Sequence, residues 1–116
     1  MKLLFAYGSL KQGFGNHPIL NQSPVFLATL KGYVLLTRGG SYPAIKAGLG
    51  MVEGEVYEIT DAKLKAIDQL EGHPNYYKRE IVTVIDKNTL KPFQAFTYVI
   101  VNTNQWRPYG KTDWEK

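Results

Sequence analysis

Glu71 stands where a helix would ordinarily place an apolar side chain. Leu64 and Ile67 set the buried stripe of a segment predicted to be helical from Asp61 to Glu71, and Glu71 falls four residues after Ile67 and seven after Leu64. It also sits in the last turn, where the negative end of the helix disfavours a carboxylate by about 0.3–1 kcal/mol at an exposed site. Burial and the helix end both penalise the charged form, so both push the carboxyl above the ordinary glutamate range. A carboxyl shifted in that direction is suited to taking and returning protons near neutrality. The competing reading is structural: a lysine or arginine at the helix edge pairs with Glu71 and neutralises it.

The other reactive side chains narrow the chemistry. The chain has no cysteine, which removes thiolate nucleophiles, disulfides and cysteine-based zinc sites together. Ser9 as a nucleophile needs a histidine base, and the two histidines, His17 and His73, both fall in predicted loops. Two loop histidines also make a poor metal site, and surface roles suit both better. Glu55 is a second candidate base, but it shares a strand with Glu53 and Glu58, and exposed strand acids need no special explanation. Arg79 can grip a carboxylate with both nitrogens, or can simply pair with an acid across a strand. Tyr42 beside Pro43, and Tyr76 or Tyr77, can line a pocket with an apolar face and a hydroxyl; packing in the core is the alternative.

These residues need a scaffold, and the punctuation of the sequence outlines one. Lys2 to Tyr7 is a short apolar run closed by Gly8-Ser9, the pattern of a buried strand ending in a turn. Lys11 to Pro18 reads as an exposed loop with a helical turn after Pro18. Val25 to Thr37 is β-rich and interrupted at Lys31-Gly32, which predicts two strands. The breakers Gly39-Gly40 and Gly48-Leu49-Gly50 bracket a predicted loop. Met51 to Ile59 is a strand in which Gly54 marks a close approach of some neighbour. Thr60 is the predicted N-cap of the helix and Gly72 its stop, although the capping box is incomplete with Lys63 at its third position. Tyr76–Ile85 and Phe93–Val101 form a predicted hairpin, and the aromatic tail after Asn102 reads as coil.

Strands outnumber helices without β-α alternation, which predicts an α+β fold: a mixed sheet or barrel with one main helix and short peripheral helical turns. A length of 116 residues with 44% apolar side chains predicts a single domain, 1–116, able to bury its own core. The formal charge of +4 comes from basic residues scattered from Lys2 to Lys116, which argues against a nucleic-acid footprint. The run Leu3–Tyr7 is too short for a signal peptide or a membrane span, so the expected location is cytoplasmic.

Three segments together resemble one family. Phe5-Ala6-Tyr7-Gly8-Ser9-Leu10-Lys11, Gly54-Glu55-Val56-Tyr57 and Leu70-Glu71-Gly72-His73-Pro74-Asn75-Tyr76-Tyr77-Lys78-Arg79 are similar, in order and spacing, to the γ-glutamylcyclotransferase-like superfamily, and within it to the γ-glutamylamine cyclotransferases and their short bacterial relatives. The resemblance implies a small mixed barrel with surrounding helices, release of 5-oxoproline from γ-glutamyl compounds, a substrate loop at Tyr7, Gly8, Ser9 and Leu10, and Glu71 as proton acceptor. Tyr42 and Tyr77 are the expected pocket tyrosines. Such a cyclisation needs no metal and no cofactor, because the substrate supplies its own nucleophile. The partner implied is a small γ-glutamyl molecule, with the leaving amine and the oligomeric state left open. A module of the same fold that binds an amino-acid derivative without turnover is the alternative, and an aromatic, basic nucleic-acid binder is the third.

Overall fold

The computed structural model describes residues 1–115. Its frame is a barrel closed from five strands: β1 (Lys2–Ala6), β2 (Phe26–Arg38), β3 (Tyr42–Ile59), β4 (Tyr77–Asp86) and β5 (Pro92–Ile100). They run in the order β3-β1-β5-β4-β2, and β2 pairs back onto β3 to close the ring; a short β6 (Arg107–Pro108) adds beside β2. Only the β1–β5 contact is parallel. The predicted mixed barrel with one main helix, α1 (Asp61–Glu71), is therefore the fold found.

Alternation along the strands sorts side chains between two cores. Phe5 and Tyr7 of the first segment join Leu30, Ile45, Val56 and Val84 inside the barrel, whereas Leu4 and Ala6 point the other way, to Leu64 and Ile67 of α1. The helix is set by its ends. Thr60 Oγ1 accepts the Lys63 N–H at 3.1 Å, half of a capping box, and Gly72 at φ 68° ends the helix with its N–H directed to Asp68 and Gln69 carbonyls.

Two strand expectations fail for the same reason: glycines that read as breakers sit inside strands. The Lys31-Gly32 interruption does not divide Val25–Thr37 into two strands; β2 is continuous, and Gly32 (φ 84°) lies at a register shift against β3, a bulge rather than an end. Gly39–Gly50 is not a loop either. Gly39 and Gly40, both at positive φ, make the turn of a long β2–β3 hairpin, and Tyr42 onward is strand. Gly48 and Gly50 lie in β3 where an added Cβ would stand 3.2 and 2.9 Å from the Val34 side chain, so close packing accounts for them. Gly54 likewise faces the Phe5 ring and the Ala6 carbonyl, with either 2.6 Å from a would-be Cβ. The tail is coil apart from β6, and the Lys11–Pro18 loop carries a short 3-10 turn at His17–Ile19. No helix among the described residues is long and apolar enough to cross a membrane.

Candidate active site

One open end of the structure carries a cleft of about 820 Å³. Its floor is the end of β1 and the loop that follows, Phe5 to Leu10; one wall is the end of α1 with Leu70 and Glu71; the other is the β2–β3 hairpin from Arg38 to Pro43. All seven residues expected at a site, Tyr7, Gly8, Ser9, Leu10, Tyr42, Glu71 and Tyr77, line this one cleft. They come from four separate stretches of chain. The other candidates do not gather there: Glu55, His17, His73 and Arg79 are outside its lining.

Each of those excluded residues is engaged elsewhere. Glu55 accepts the Gln12 N–H at 2.9 Å and the Tyr57 hydroxyl at 2.6 Å, which tethers the loop after β1 to β3. His17, half-buried rather than on the surface, donates from Nδ1 to the Leu10 carbonyl at 3.0 Å. His73 accepts the Arg79 N–H at 2.9 Å, and Arg79 forms an ion pair with Asp68 while lying over the Phe96 ring. Lys11 departs most from the exposed loop expected: it is 6% exposed, and its ammonium donates to Asp113 Oδ1 (2.6 Å) and the Trp114 carbonyl (2.8 Å). Burial of a cation requires such partners. The pair anchors the tail beside the loop that follows β1 and brings Trp114 into the cleft wall.

Tight packing shapes the loop Tyr7–Leu10. A Cβ on Gly8 would stand 2.5 Å from Pro43 Cγ, so glycine is what lets this loop approach the hairpin. Asn16 holds the loop from behind: its N–H donates to the Ser9 carbonyl (2.9 Å) and its Nδ2 to Ser9 Oγ (2.9 Å). The Gly8 carbonyl accepts the Lys11 N–H at 3.0 Å. The N–H groups of Gly8, Ser9 and Leu10 themselves donate to no protein acceptor among the described residues.

Three tyrosines build the deep end. Tyr7 Oη donates to the Tyr98 carbonyl (2.9 Å), Tyr77 Oη to the Pro43 carbonyl (2.7 Å) and Tyr98 Oη to Asp68 Oδ1 (2.6 Å). Burial, with Tyr77 and then Glu71 nearby, pushes the Tyr7 hydroxyl well above its ordinary range, and burial followed by Glu71 does the same to Tyr77. Burial and the hydrogen bond to Asp68 raise Tyr98. All three are neutral donors at physiological pH.

Against this background Glu71 is the exception. It has no ion-pair partner among the described residues, which removes the structural reading of a charge neutralised at the helix edge. Desolvation by burial pushes its carboxyl up to about 7. Burial is the cause of the shift. One cleft thus brings together a carboxyl raised toward neutrality and a loop whose Gly8, Ser9 and Leu10 N–H groups have no protein acceptor among the described residues.

A closed mixed barrel with a cleft of this size at the end of β1 has the shape of a small-molecule pocket, and sequence comparison gives the family. The chain belongs to the γ-glutamyl cyclotransferase, AIG2-like family, whose model matches residues 4–116. It is 32% identical, over 94% of its length and 98% of the relative's, to a Methanocaldococcus jannaschii protein provisionally named a γ-glutamylcyclotransferase. It is 37% identical to human γ-glutamylaminecyclotransferase over 72% of this chain and 62% of that one. The crystal structure of a mouse AIG2-like protein superposes over 99% of this chain and 86% of its own with a TM-score of 0.79 at 22% identity, a likeness of fold.

Arg38, Asn16, Tyr98 and Trp114 also line the cleft and were not among the expected site residues. Asn16 sits in a Gly-rich stretch read only as loop, and Arg38 falls between the predicted strand ending at Thr37 and the breakers that follow. Tyr98 occupies an ordinary buried strand position on the helix side of β5, and Trp114 is placed by the buried Lys11, which no local pattern announces.

Proposed function

We propose that this cleft binds a γ-glutamyl amine or a related γ-glutamyl compound and releases 5-oxoproline, with Glu71 as the proton relay. The observation that carries the reading is Glu71 itself: a carboxyl raised to about 7 by burial, without a cationic partner, in the same cleft as the Tyr7–Leu10 loop. In the reaction the substrate's α-ammonium gives a proton to Glu71, and the freed nitrogen attacks the γ-carbonyl carbon. The bond from that carbon to the leaving nitrogen then breaks. Two protons pass in all from the ring nitrogen to the departing amine, which leaves as an ammonium. A model α-amino group has a pKa of about 8, so transfer to a carboxyl near 7 is nearly balanced and reversible within the cleft.

Attack within one substrate avoids the entropy of bringing two molecules together, provided the glutamyl chain is held folded with nitrogen facing carbonyl. The N–H groups at Gly8, Ser9 and Leu10 supply donors for the α-carboxylate or for the oxyanion that develops on the γ-carbonyl. Membership of the family and the names of its relatives favour this chemistry over other uses of a raised carboxyl. The test is a mass-spectrometric screen of γ-glutamyl amines and peptides with wild type and Glu71→Gln side by side. The expected result is 5-oxoproline from wild type only. A folded wild type that yields none from the whole panel, while still binding γ-glutamyl ligands, would instead mark a non-catalytic binding module.

A further inference from the structure

The cleft has two ends of opposite character. Tyr7, Gly8 and Leu10 at the inner end are buried, whereas Arg38, Ser41, Tyr42 and Tyr76 at the mouth are exposed. If the glutamyl group occupies the inner end beside Glu71, the leaving amine extends toward the exposed mouth. This inference therefore rests on the function proposed above.

Of the residues lining the cleft, Glu71 and Arg38 alone are acidic or basic, and Arg38 alone is charged throughout the physiological range. Arg38 is also the cation with nothing opposite to neutralise it. Arg79 and Lys11, the nearby basic residues, are each committed to an aspartate, while Arg38 has no carboxylate partner among the described residues. Its position is nevertheless fixed. Its backbone pairs with Tyr42 across the end of the β2–β3 hairpin, its carbonyl accepts the Ser41 N–H at 3.3 Å, and Nη1 donates to Tyr76 Oη at 3.3 Å. The guanidinium is thus tied by one hydrogen bond to the exposed Tyr76, with most of its donors free to take a planar anion.

We infer that Arg38 is a specificity-determining residue, reading an anionic group on the leaving amine and disfavouring amines with a second cation. The matching substrate class is a γ-glutamyl amino acid or peptide, whose leaving group carries a carboxylate. The contact forms at an exposed mouth and is screened by salt, so its effect is modest and falls as ionic strength rises.

The test compares isosteric pairs at two lengths: γ-glutamylglycine against γ-glutamylglycinamide, and γ-glutamyl-γ-aminobutyrate against its primary amide. The readout is the ratio of kcat/KM, acid over amide, from 5-oxoproline release at low salt. Wild type is expected to favour the acid by about three- to tenfold at one length or both, as one well-aligned exposed charge pair allows. Arg38→Gln should bring that ratio to about one, and Arg38→Lys should keep part of it. A wild-type ratio of one at both lengths, or an unchanged ratio in Arg38→Gln, overturns the inference while leaving the cyclisation standing. If no substrate yields 5-oxoproline, the proposed reaction fails, and the same ratio is read from dissociation constants by calorimetric titration. Tighter binding of the acid that disappears in Arg38→Gln then upholds the role of Arg38; equal affinities, or no binding of either, overturn it.

Discussion

The inner wall of the cleft and its outer rim are built by opposite rules. On the inner wall nearly every polar group is spoken for: Tyr7, Tyr77 and Tyr98 donate to fixed acceptors, Asp68 is held by Arg79 and Tyr98, and Asn16 secures Ser9. Glu71 and the N–H groups of the Tyr7–Leu10 loop are what that wall leaves unpaired. At the rim, Arg38, Tyr42 and Tyr76 are exposed and make a single long hydrogen bond among themselves. The contrast with Asp68 is instructive. Asp68 and Glu71 lie on the same helix one turn apart, yet the first has a guanidinium and a hydroxyl to stabilise its charge and the second has only burial. In the proposed reaction this would set preorganised groups against the part of the substrate that reacts and leave the adaptable rim to the part that departs.

The largest effect expected of this contrast is kinetic. Glu71→Gln removes the relay and should lower kcat by about 10²–10⁴-fold, the usual range for a positioned acid/base, while γ-glutamyl ligands still bind; retention of turnover would place the relay elsewhere in the wall.

A second effect is on stability and its sign is fixed by the direction of the shift. The Glu71 carboxyl titrates near 7 folded and near 4.5 unfolded, so the preference of the folded state for the protonated form is fully present below about 4.5 and is lost as pH rises through 7. Wild type should therefore lose stability relative to Glu71→Gln across that window, by on the order of 3 kcal/mol in total. Denaturant melts at pH 4 and pH 8 measure it, and equal differences at both would mean that burial of Glu71 is relieved by water.

Gly8→Ala probes the fit of loop against hairpin. With Pro43 Cγ 2.5 Å from the new methyl, one of the two must move, at a cost of about 1–3 kcal/mol, and kcat should fall as well because the loop N–H groups shift. A neutral substitution would show that the wall is softer than its contacts suggest. The smallest effect belongs to the rim: Arg38→Gln should change stability by no more than about 0.5 kcal/mol, because the one side-chain hydrogen bond it loses, to Tyr76, is long and exposed, measured in the same melts.

Much of the inner wall was legible in the sequence because its signals are local. The Leu64–Ile67–Glu71 spacing, the Thr60 and Gly72 ends and the short first strand closed by Gly8 each follow from a few neighbouring residues. At the rim Tyr42 and Tyr76 were legible as candidates, but the hairpin that carries Tyr42 and Arg38 was not. Gly39, Gly40, Gly48 and Gly50 look alike in sequence, but the first two bend the chain and the last two make room for Val34 within a strand. Trp114 and Lys11 meet across about a hundred residues through a buried ammonium, a contact that no periodicity encodes. Arg38 was invisible for a related reason: its significance lies in the partner it lacks, which only the assembled cleft reveals.

The claim on which the account turns is that the Glu71 carboxyl must be ionised to accept the substrate's proton. The direct measurement is the pH dependence of kcat/KM for 5-oxoproline release, which reports the groups of the free enzyme. The account predicts an acid limb that rises about tenfold per pH unit and bends near pH 7. A limb that bends near 4.5, or a profile flat between pH 5 and 7, would contradict it.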